Sequence, residues 1–388
     1  MLQALNSKGL PIKLAAQTRE KINRLRNERF FCPQCYEPVI IKAGPKTIPH
    51  FAHRSITNCI NQRGEGAYHE RGKLLLYEWL RKQNITVQLE QYIPEIEQIP
   101  DMLVTINNKR IALEYQCSNV SVQQIKKRNK GYIKANIIPI WILGETLLKR
   151  YANKQIKMDF FTSQFIHYFP NTSSTSLFYF CPHTKKMIIL NDIYLINMKR
   201  AIGKITIKKL DILQLKDLFI QRTLSKNKLL TIWLKEKRKF RLNQRKKIYG
   251  RELQWRNWLY NRALFIENLP SCIYLPIASQ QLLKTPPWQW QSKFIIDFIH
   301  PLQIGEQFTL GQAKSFLNYK LYKQHLFPLL QQKKDPVIEY LNYLKMIYMI
   351  IEQRPNVFMK NRNIRFYRNI EEAISGDENL INYIKNNA

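Results

Sequence analysis

Acidic residues are scarce in this chain. It has 388 residues, with 28 Asp and Glu against 62 Lys and Arg, a formal charge of +34 and a sequence pI ≈ 9.9. A surplus this large implies a polyanionic partner. Nucleic acid is the first expectation and an anionic membrane surface the second. Long hydrophobic runs are missing as well. The densest, Ile137 to Leu143, is far shorter than the roughly 20 residues a membrane-spanning helix needs. The first twenty residues lack the apolar core of a signal peptide, and no sustained stretch has the one clean apolar face of an interfacial helix. The expectation is therefore a cytoplasmic protein. Its six cysteines should be reduced there, which favours metal binding or burial over disulfides. No internal repeat or long low-complexity segment interrupts the chain. With 45% hydrophobic and 12% aromatic residues it is a folded protein of two or three domains.

Several of those cysteines are concentrated near the start. Cys32-Pro33-Gln34-Cys35 forms a C-x2-C knuckle, His50-Phe51-Ala52-His53 follows, and Cys59 comes shortly after. Two thiolates two residues apart grip one Zn²⁺ from a tight turn, and a second pair about fifteen residues on closes the tetrahedron. Cys32, Cys35, His50 and His53 are the expected zinc ligands, with Cys59 able to replace one histidine. Four protein ligands leave no open position, so the zinc is expected to be structural and to help fold a small β-rich module.

Next comes a succession of helix, three strands, helix and strand. Gly64-Glu65-Gly66 breaks the chain, and 67–83 carries helical periodicity. Residues 85–93 read as a strand. Segments 101–106 and 110–117 read as a hairpin around Asn107-Asn108-Lys109. Ser118 to Ser121 offers helix caps for a basic helix reaching about Lys134, and 137–143 suits a strand buried on both faces. The order predicts a mixed sheet with a helix on each side. The hairpin brings Asp101 and Glu114 together, and two carboxylates amid strong positive charge suit Mg²⁺. Glu114 and Gln116 share a face because strands alternate with period two.

Pro100-Asp101 followed by Glu114-x-Gln116 in this αβββαβ frame resembles the PD-(D/E)xK nuclease superfamily. More narrowly, the CPxC knuckle, the HFAH box, Gly64-Glu65 with His69 and the string Glu114-Tyr115-Gln116-Cys117-Ser118 resemble the competence protein CoiA family, as do Arg128 and Tyr132. Pro287-Trp288-x-Trp290-Gln291 is a weaker sign of the same kinship. The resemblance implies a cytosolic factor of natural transformation that acts on incoming or branched DNA in functional contact with the RecA recombinase. It further implies Mg²⁺-dependent phosphodiester hydrolysis, with Asp101 and Glu114 as Mg²⁺ ligands and Glu65, His69 and Gln116 as further catalytic residues. Gln116 stands where the superfamily has a lysine. An amide carries no charge and cannot take a proton. Lys73, one helical turn beyond His69, is the candidate replacement cation and a DNA contact.

The expected architecture is α+β and multidomain: a zinc-finger-like module over 1–60, a nuclease-like domain over 61–150 and a basic, mostly helical region over 151–388. Helical patches run roughly over 208–262, 307–332 and 336–352. Within them Lys235 to Arg251 is the densest charge run of the protein. Arg128, Lys237, Arg238, Lys239, Arg241, Arg245, Lys246 and Lys247 are the expected contacts to the DNA backbone. Trp255, Trp258 and Tyr260 lie just beyond the run, with core packing the expected role and base stacking the alternative. Two functions fit these features: a Mg²⁺-dependent nuclease, or a non-catalytic DNA-binding accessory that assists RecA-driven strand exchange.

Overall fold

The structure is a computed structural model that describes residues 1–14, 17–44, 49–54, 59, 66–151, 155–169, 174–242, 247–323, 326–330 and 335–387. The protein is α+β, with helices packed on mixed and antiparallel sheets. Its first sheet joins β1 (Gln3–Asn6), β2 (Pro11–Lys13), β3 (Phe30–Phe31), β4 (Pro38–Lys42) and β5 (His50–His53) in the order β2-β1-β3-β4-β5. Every pairing in it is antiparallel. In β4 the alternation is clean: Val39 and Ile41 turn inward against Phe30 and Phe51. Helix α1 (Arg19–Leu25), capped by the Thr18 hydroxyl, lays Ile22 and Leu25 on the same core.

The second sheet begins with the predicted succession. Helix α2 (Ala67–Arg81) precedes β6 (Thr86–Leu89), β7 (Met102–Ile106) and β8 (Lys109–Gln116); α3 (Val122–Lys134) then crosses over to β9 (Ile137–Gly144). Asn107 and Asn108 have φ of +46° and +61°, and Ile106 pairs with Lys109. A two-residue hairpin loop needs the left-handed region at both positions, and asparagine tolerates it. β8 and β9 are parallel, as the α3 crossover requires. β6 stops at Leu89, short of the expected 93, because Glu90 takes φ +50°. Helix α2 covers the face carrying Met102, Val104, Leu113 and Tyr115, whereas Leu103 and Ala112 on the other face pack with Tyr132 of α3. Gly72 lets α2 approach closely, since a Cβ there would sit 2.0 Å from the Tyr115 ring.

This sheet does not end at β9. Past β10 (Ile156–Lys157), α4 (Phe160–Ser163) and β11 (His167–Phe169), β12 (Ser174–Cys181) lies parallel to β9. β13 (Lys186–Asn197) and β14 (Arg200–Lys209) follow it, antiparallel. The order is β10-β14-β13-β12-β9-β8-β7-β6, with β11 on β12. The division expected at residue 150 thus falls inside the sheet. β12 is buried along its whole length, so it shows none of the alternation that marks a half-exposed strand.

The helical region starts at α5 (Lys226–Arg241) and continues with α6 (Gly250–Tyr260) and α7 (Pro287–Lys293), which runs on as a π-helical turn. Then come β15 (Gln307–Thr309), α8 (Leu310–Leu317), α9 (Pro336–Met346), β16 (Ile350–Arg354), β17 (Val357–Lys360) and α10 (Ile370–Asn386). Trp233, Trp255, Trp290 and Tyr340 fill the core, so Trp255 is a packing residue. The Trp-x-Trp-Gln motif is part of the same core. Trp290 donates to the Gln280 side chain at 2.9 Å, and Gln291 clamps both backbone groups of Leu275.

Two residues of the basic run are also interior, contrary to the DNA-contact role expected of them. Lys237 and Arg241 follow Leu230 and Trp233 at helical spacing and share their buried face of α5. Asp377 of α10 lies 3.2 Å from Lys237 Nζ and takes two Arg241 N–H groups at 3.0 Å each. Arg238, Lys239 and Lys247 face solvent, and Arg245 and Lys246 lie outside the described residues. Asp377→Ala would strand two cations in the core. It is expected to lower unfolding free energy by about 3–5 kcal/mol in urea titrations, whereas Arg238→Ala should change it by no more than ~0.5 kcal/mol.

His167 ties β11 to β9 by accepting the Trp141 backbone N–H at 3.0 Å. Its burial lowers its pKa from 6.5 to about 4. Between those values the unfolded chain takes up a proton that the folded chain refuses, so stability falls as pH drops from 6.5 toward 4. The expected loss is about 2 kcal/mol at pH 5 relative to pH 7. Unfolding curves at the two pH values should show this in the native chain and not in His167→Gln, which keeps an acceptor but cannot titrate.

Candidate active site and metal cluster

Asp101 stands at the start of β7, and Glu114 lies near the end of its partner β8. Asp101 Oδ2 accepts the Tyr115 backbone N–H at 2.7 Å. Its Oδ1 lies 3.6 Å from Lys73 Nζ and 3.8 Å from His69 Nε2. Burial works to raise the Asp101 pKa, but Lys73, His69 and the Tyr115 amide together hold it below the ordinary carboxylate range. Lys73 is only 1% exposed, and its ammonium sits 2.6 Å from Glu90 Oε1. The other Glu90 oxygen accepts the backbone N–H groups of Leu2 and Gln3 at 2.7 and 3.1 Å. Burial opposes ionisation of Glu90; Lys73, the N-terminal ammonium of Met1 and the Leu2 amide outweigh it and lower its pKa.

Glu114 is buried and accepts hydrogen bonds from Arg128 and the Tyr132 hydroxyl, four residues apart on α3. Arg128 also donates to the Ile99 carbonyl at 2.8 Å. Burial raises the Glu114 pKa; Arg128 pulls it back, the Asp101 charge pushes it up again, and the net shift is upward. Gln116, on the same face as Glu114, donates its amide to the Ser118 carbonyl at 2.7 Å and so ties down the loop before α3. Asp101, Glu114, Gln116, His69, Lys73 and Arg128 all line one cleft of about 750 Å³. Its opposite wall belongs to the N-terminal sheet and includes Lys42, His50, His53 and Arg54.

Beside this cleft lies a second constellation. Ligand atoms of Cys32, Cys35, His53 and Cys59 all fall within 4.8 Å of one another. The Cys32 and Cys59 sulfurs are 3.8 Å apart, and Cys35 Sγ is 3.3 Å from His53 Nε2. A tetrahedron with metal–sulfur bonds of ~2.3 Å has a sulfur–sulfur edge of about 3.8 Å, so the set can hold a metal and its three sulfurs and one nitrogen suit zinc. Burial pushes the Cys32 thiol up to about 12, and a cation at the centre is what favours thiolate there. The tight turn is set by the Tyr36 N–H donating to the Cys32 carbonyl at 3.0 Å, with Tyr36 at φ +58°.

His50, expected as a ligand, is not in this cluster, and Cys59 is. Residues 50 and 53 are an odd number apart on β5, so their side chains leave opposite faces. His50 Nδ1 instead lies 3.6 Å from the buried Glu70 of α2. Glu65 lies outside the described residues. Lys73 is interior and paired with Glu90, so it is no surface contact for DNA. Glu70 and Glu90 were not foreseen. Glu70 had a signal: with Lys73 it shares the stripe of Leu76 and Leu80, and charge on an apolar stripe marks a buried ion pair. Glu90 had none, because it follows a strand without a periodic signal and meets Lys73 and two backbone amides, the latter 87 and 88 residues away, only in the folded chain.

An αβββαβ sheet with paired acids in a cleft, flanked by a cysteine-histidine metal cluster, defines a nuclease-like protein with an attached metal-binding module. Comparison with known sequences makes this specific. Residues 65–223 match the nuclease-like domain of competence protein CoiA, 14–62 its N-terminal domain and 230–374 its C-terminal domain. The chain belongs to the competence protein CoiA family. It is 27% identical over 372 residues to Competence protein CoiA of Bacillus subtilis (strain 168), covering 94% of this chain and 97% of that relative. No solved structure matches. Among the described residues no helix is long and apolar enough to cross a membrane.

The zinc assignment separates two substitutions. Cys59→Ser is expected to lose most bound zinc and His50→Ala to keep it, as read by metal analysis of purified protein; the reverse pattern overturns the ligand set.

Proposed function

We propose that this protein is a Mg²⁺-dependent deoxyribonuclease of natural transformation. It acts in the cytoplasm on incoming or branched DNA during RecA-dependent recombination. The observation that carries this reading is the convergence of Asp101 and Glu114 on one cleft with a buried cation, Lys73, beside them. The donor chemistry fits a hard divalent cation: two carboxylates, one of them with its pKa raised partly by the other's charge. Asp101 and Glu114 would hold Mg²⁺, which supplies Lewis-acid polarisation of the scissile phosphate and a lowered pKa for attacking water.

The chain's own groups do the rest. The Tyr115 amide fixes Asp101 in one orientation, and His69 stands at its second oxygen. Lys73 provides a cation where Gln116 has none and serves to stabilise charge developing on the phosphate. Arg128 orients Glu114 and presents positive charge at the cleft. Exposed Arg238, Lys239 and Lys247 supply sequence-independent, salt-sensitive contact with the DNA backbone. The three units expected from the sequence stand in this reading, with the middle one extended through β14.

One observation favours the second reading, a DNA-binding accessory to strand exchange that does not cut. The Glu114 carboxylate already accepts from Arg128 and Tyr132, and the Gln116 amide is engaged by Ser118. Labelled single-stranded, duplex and branched DNA, incubated with Mg²⁺, Mn²⁺ or EDTA, separates the two. Under the nuclease reading the native chain cuts only with metal, and Asp101→Ala lowers the rate at least ~100-fold with DNA affinity unchanged within about twofold. Tight binding without cutting on every substrate supports the accessory role instead.

A further inference from the structure

We infer that the metal-binding N-terminal module is a working part of the acid site, because its first strand positions the Lys73 ammonium through Glu90. The inference rests on the hydrolytic reading above and names what that site needs in order to turn over.

The connection is continuous in space. The Leu2 and Gln3 amides of β1 converge on one oxygen of Glu90 at 2.7 and 3.1 Å, the other oxygen takes the Lys73 ammonium at 2.6 Å, and that ammonium lies 3.6 Å from Asp101. Glu90 is 7% exposed, so its carboxylate is stabilised mainly by these donors and not by bulk water. Two amides from another sheet decide which oxygen faces Lys73 and where the ammonium rests. Gln116 cannot substitute, being neutral and committed to the Ser118 carbonyl.

A second strut runs from the metal cluster. β5 carries His53 to the cluster and, from its other face, His50 to within 3.6 Å of Glu70, one turn before Lys73 on α2. Metal held at one end of β5 therefore sets the position of the helix that delivers the lysine. Glu90 and Glu70 act here as positioning residues: both border the cleft, but their carboxylates are engaged by Lys73 and the β1 amides and by His50.

The test uses the full chain with its zinc, measuring kcat and KM for a cleaved DNA, DNA affinity, zinc content and melting temperature. Glu90→Gln probes the carboxylate. The paired change Lys73→Met with Glu90→Gln removes the ion pair together, so that neither partner is left charged without the other, while Asp101 keeps His69 and the Tyr115 amide. Gln3→Pro deletes one of the two amides and no charge. The expected result is a 10–100-fold fall in kcat for the first two and a several-fold fall for Gln3→Pro. KM, DNA affinity and zinc should stay within about twofold in all three. If the paired variant and Gln3→Pro fold and retain native kcat while Asp101→Ala is inactive, Glu90 is only structural. The inference then fails and the nuclease reading stands. A native chain that cuts no DNA overturns both.

Discussion

Lys73 carries a positive charge into the wall of the cleft, where only 1% of its surface is exposed. A lone ammonium cannot be kept there; desolvation opposes it by several kcal/mol. The structure answers by bringing Glu90 and Asp101 against it, and that one requirement orders much of the domain. It selects the rotation of α2 and bends the chain out of β6 at Glu90. It aims Asp101 at the start of β7 and engages the backbone of β1 from a different sheet. The net stability from such a cluster is small, because Coulomb attraction and desolvation nearly cancel. Its yield is geometric, since few other arrangements satisfy all of these groups together.

The C-terminal region uses the same chemistry for a different end. Lys237, Arg241 and Asp377 form an ion cluster as dry as the one at Lys73. There the groups bond to one another and to the carbonyls of Ile266, Ser271 and Ile273. At Lys73 one carboxylate, Asp101, keeps 14% exposure and lines the cleft. Access to a cleft, not the presence of buried charge, separates the cluster at Lys73 from the one that braces two helices.

Where the signal was local, the site was legible from the chain alone. Asn107-Asn108 demands a hairpin wherever it lies between β-rich runs, and the hairpin brings Asp101 toward Glu114. The CPxC turn closes on itself in the same way. His50 shows the limit of motif spacing: the x2 gap suits a ligand pair in a turn or helix, but on β5 it sends the two imidazoles apart. The basic run 235–251 misled by composition. Its count of cations said nothing of which faced inward, a matter settled by the 3.6-residue period and by Asp377 far along the chain.

What the sequence by itself determined is therefore local and chemical: the αβββαβ order, the knuckle, the hairpin that sets Asp101 beside Glu114, the neutral Gln116 on the same face and the large surplus of positive charge. Only the tertiary structure decided that β12 to β14 extend the sheet, that Cys59 and not His50 completes the metal cluster, and that Glu90 couples the first strand to Lys73. The physical reason is the same in each case. A hydrogen bond or ion pair between residues dozens of positions apart leaves no periodicity in the chain. Its existence depends on which surfaces are brought together, and burial then makes the pairing obligatory.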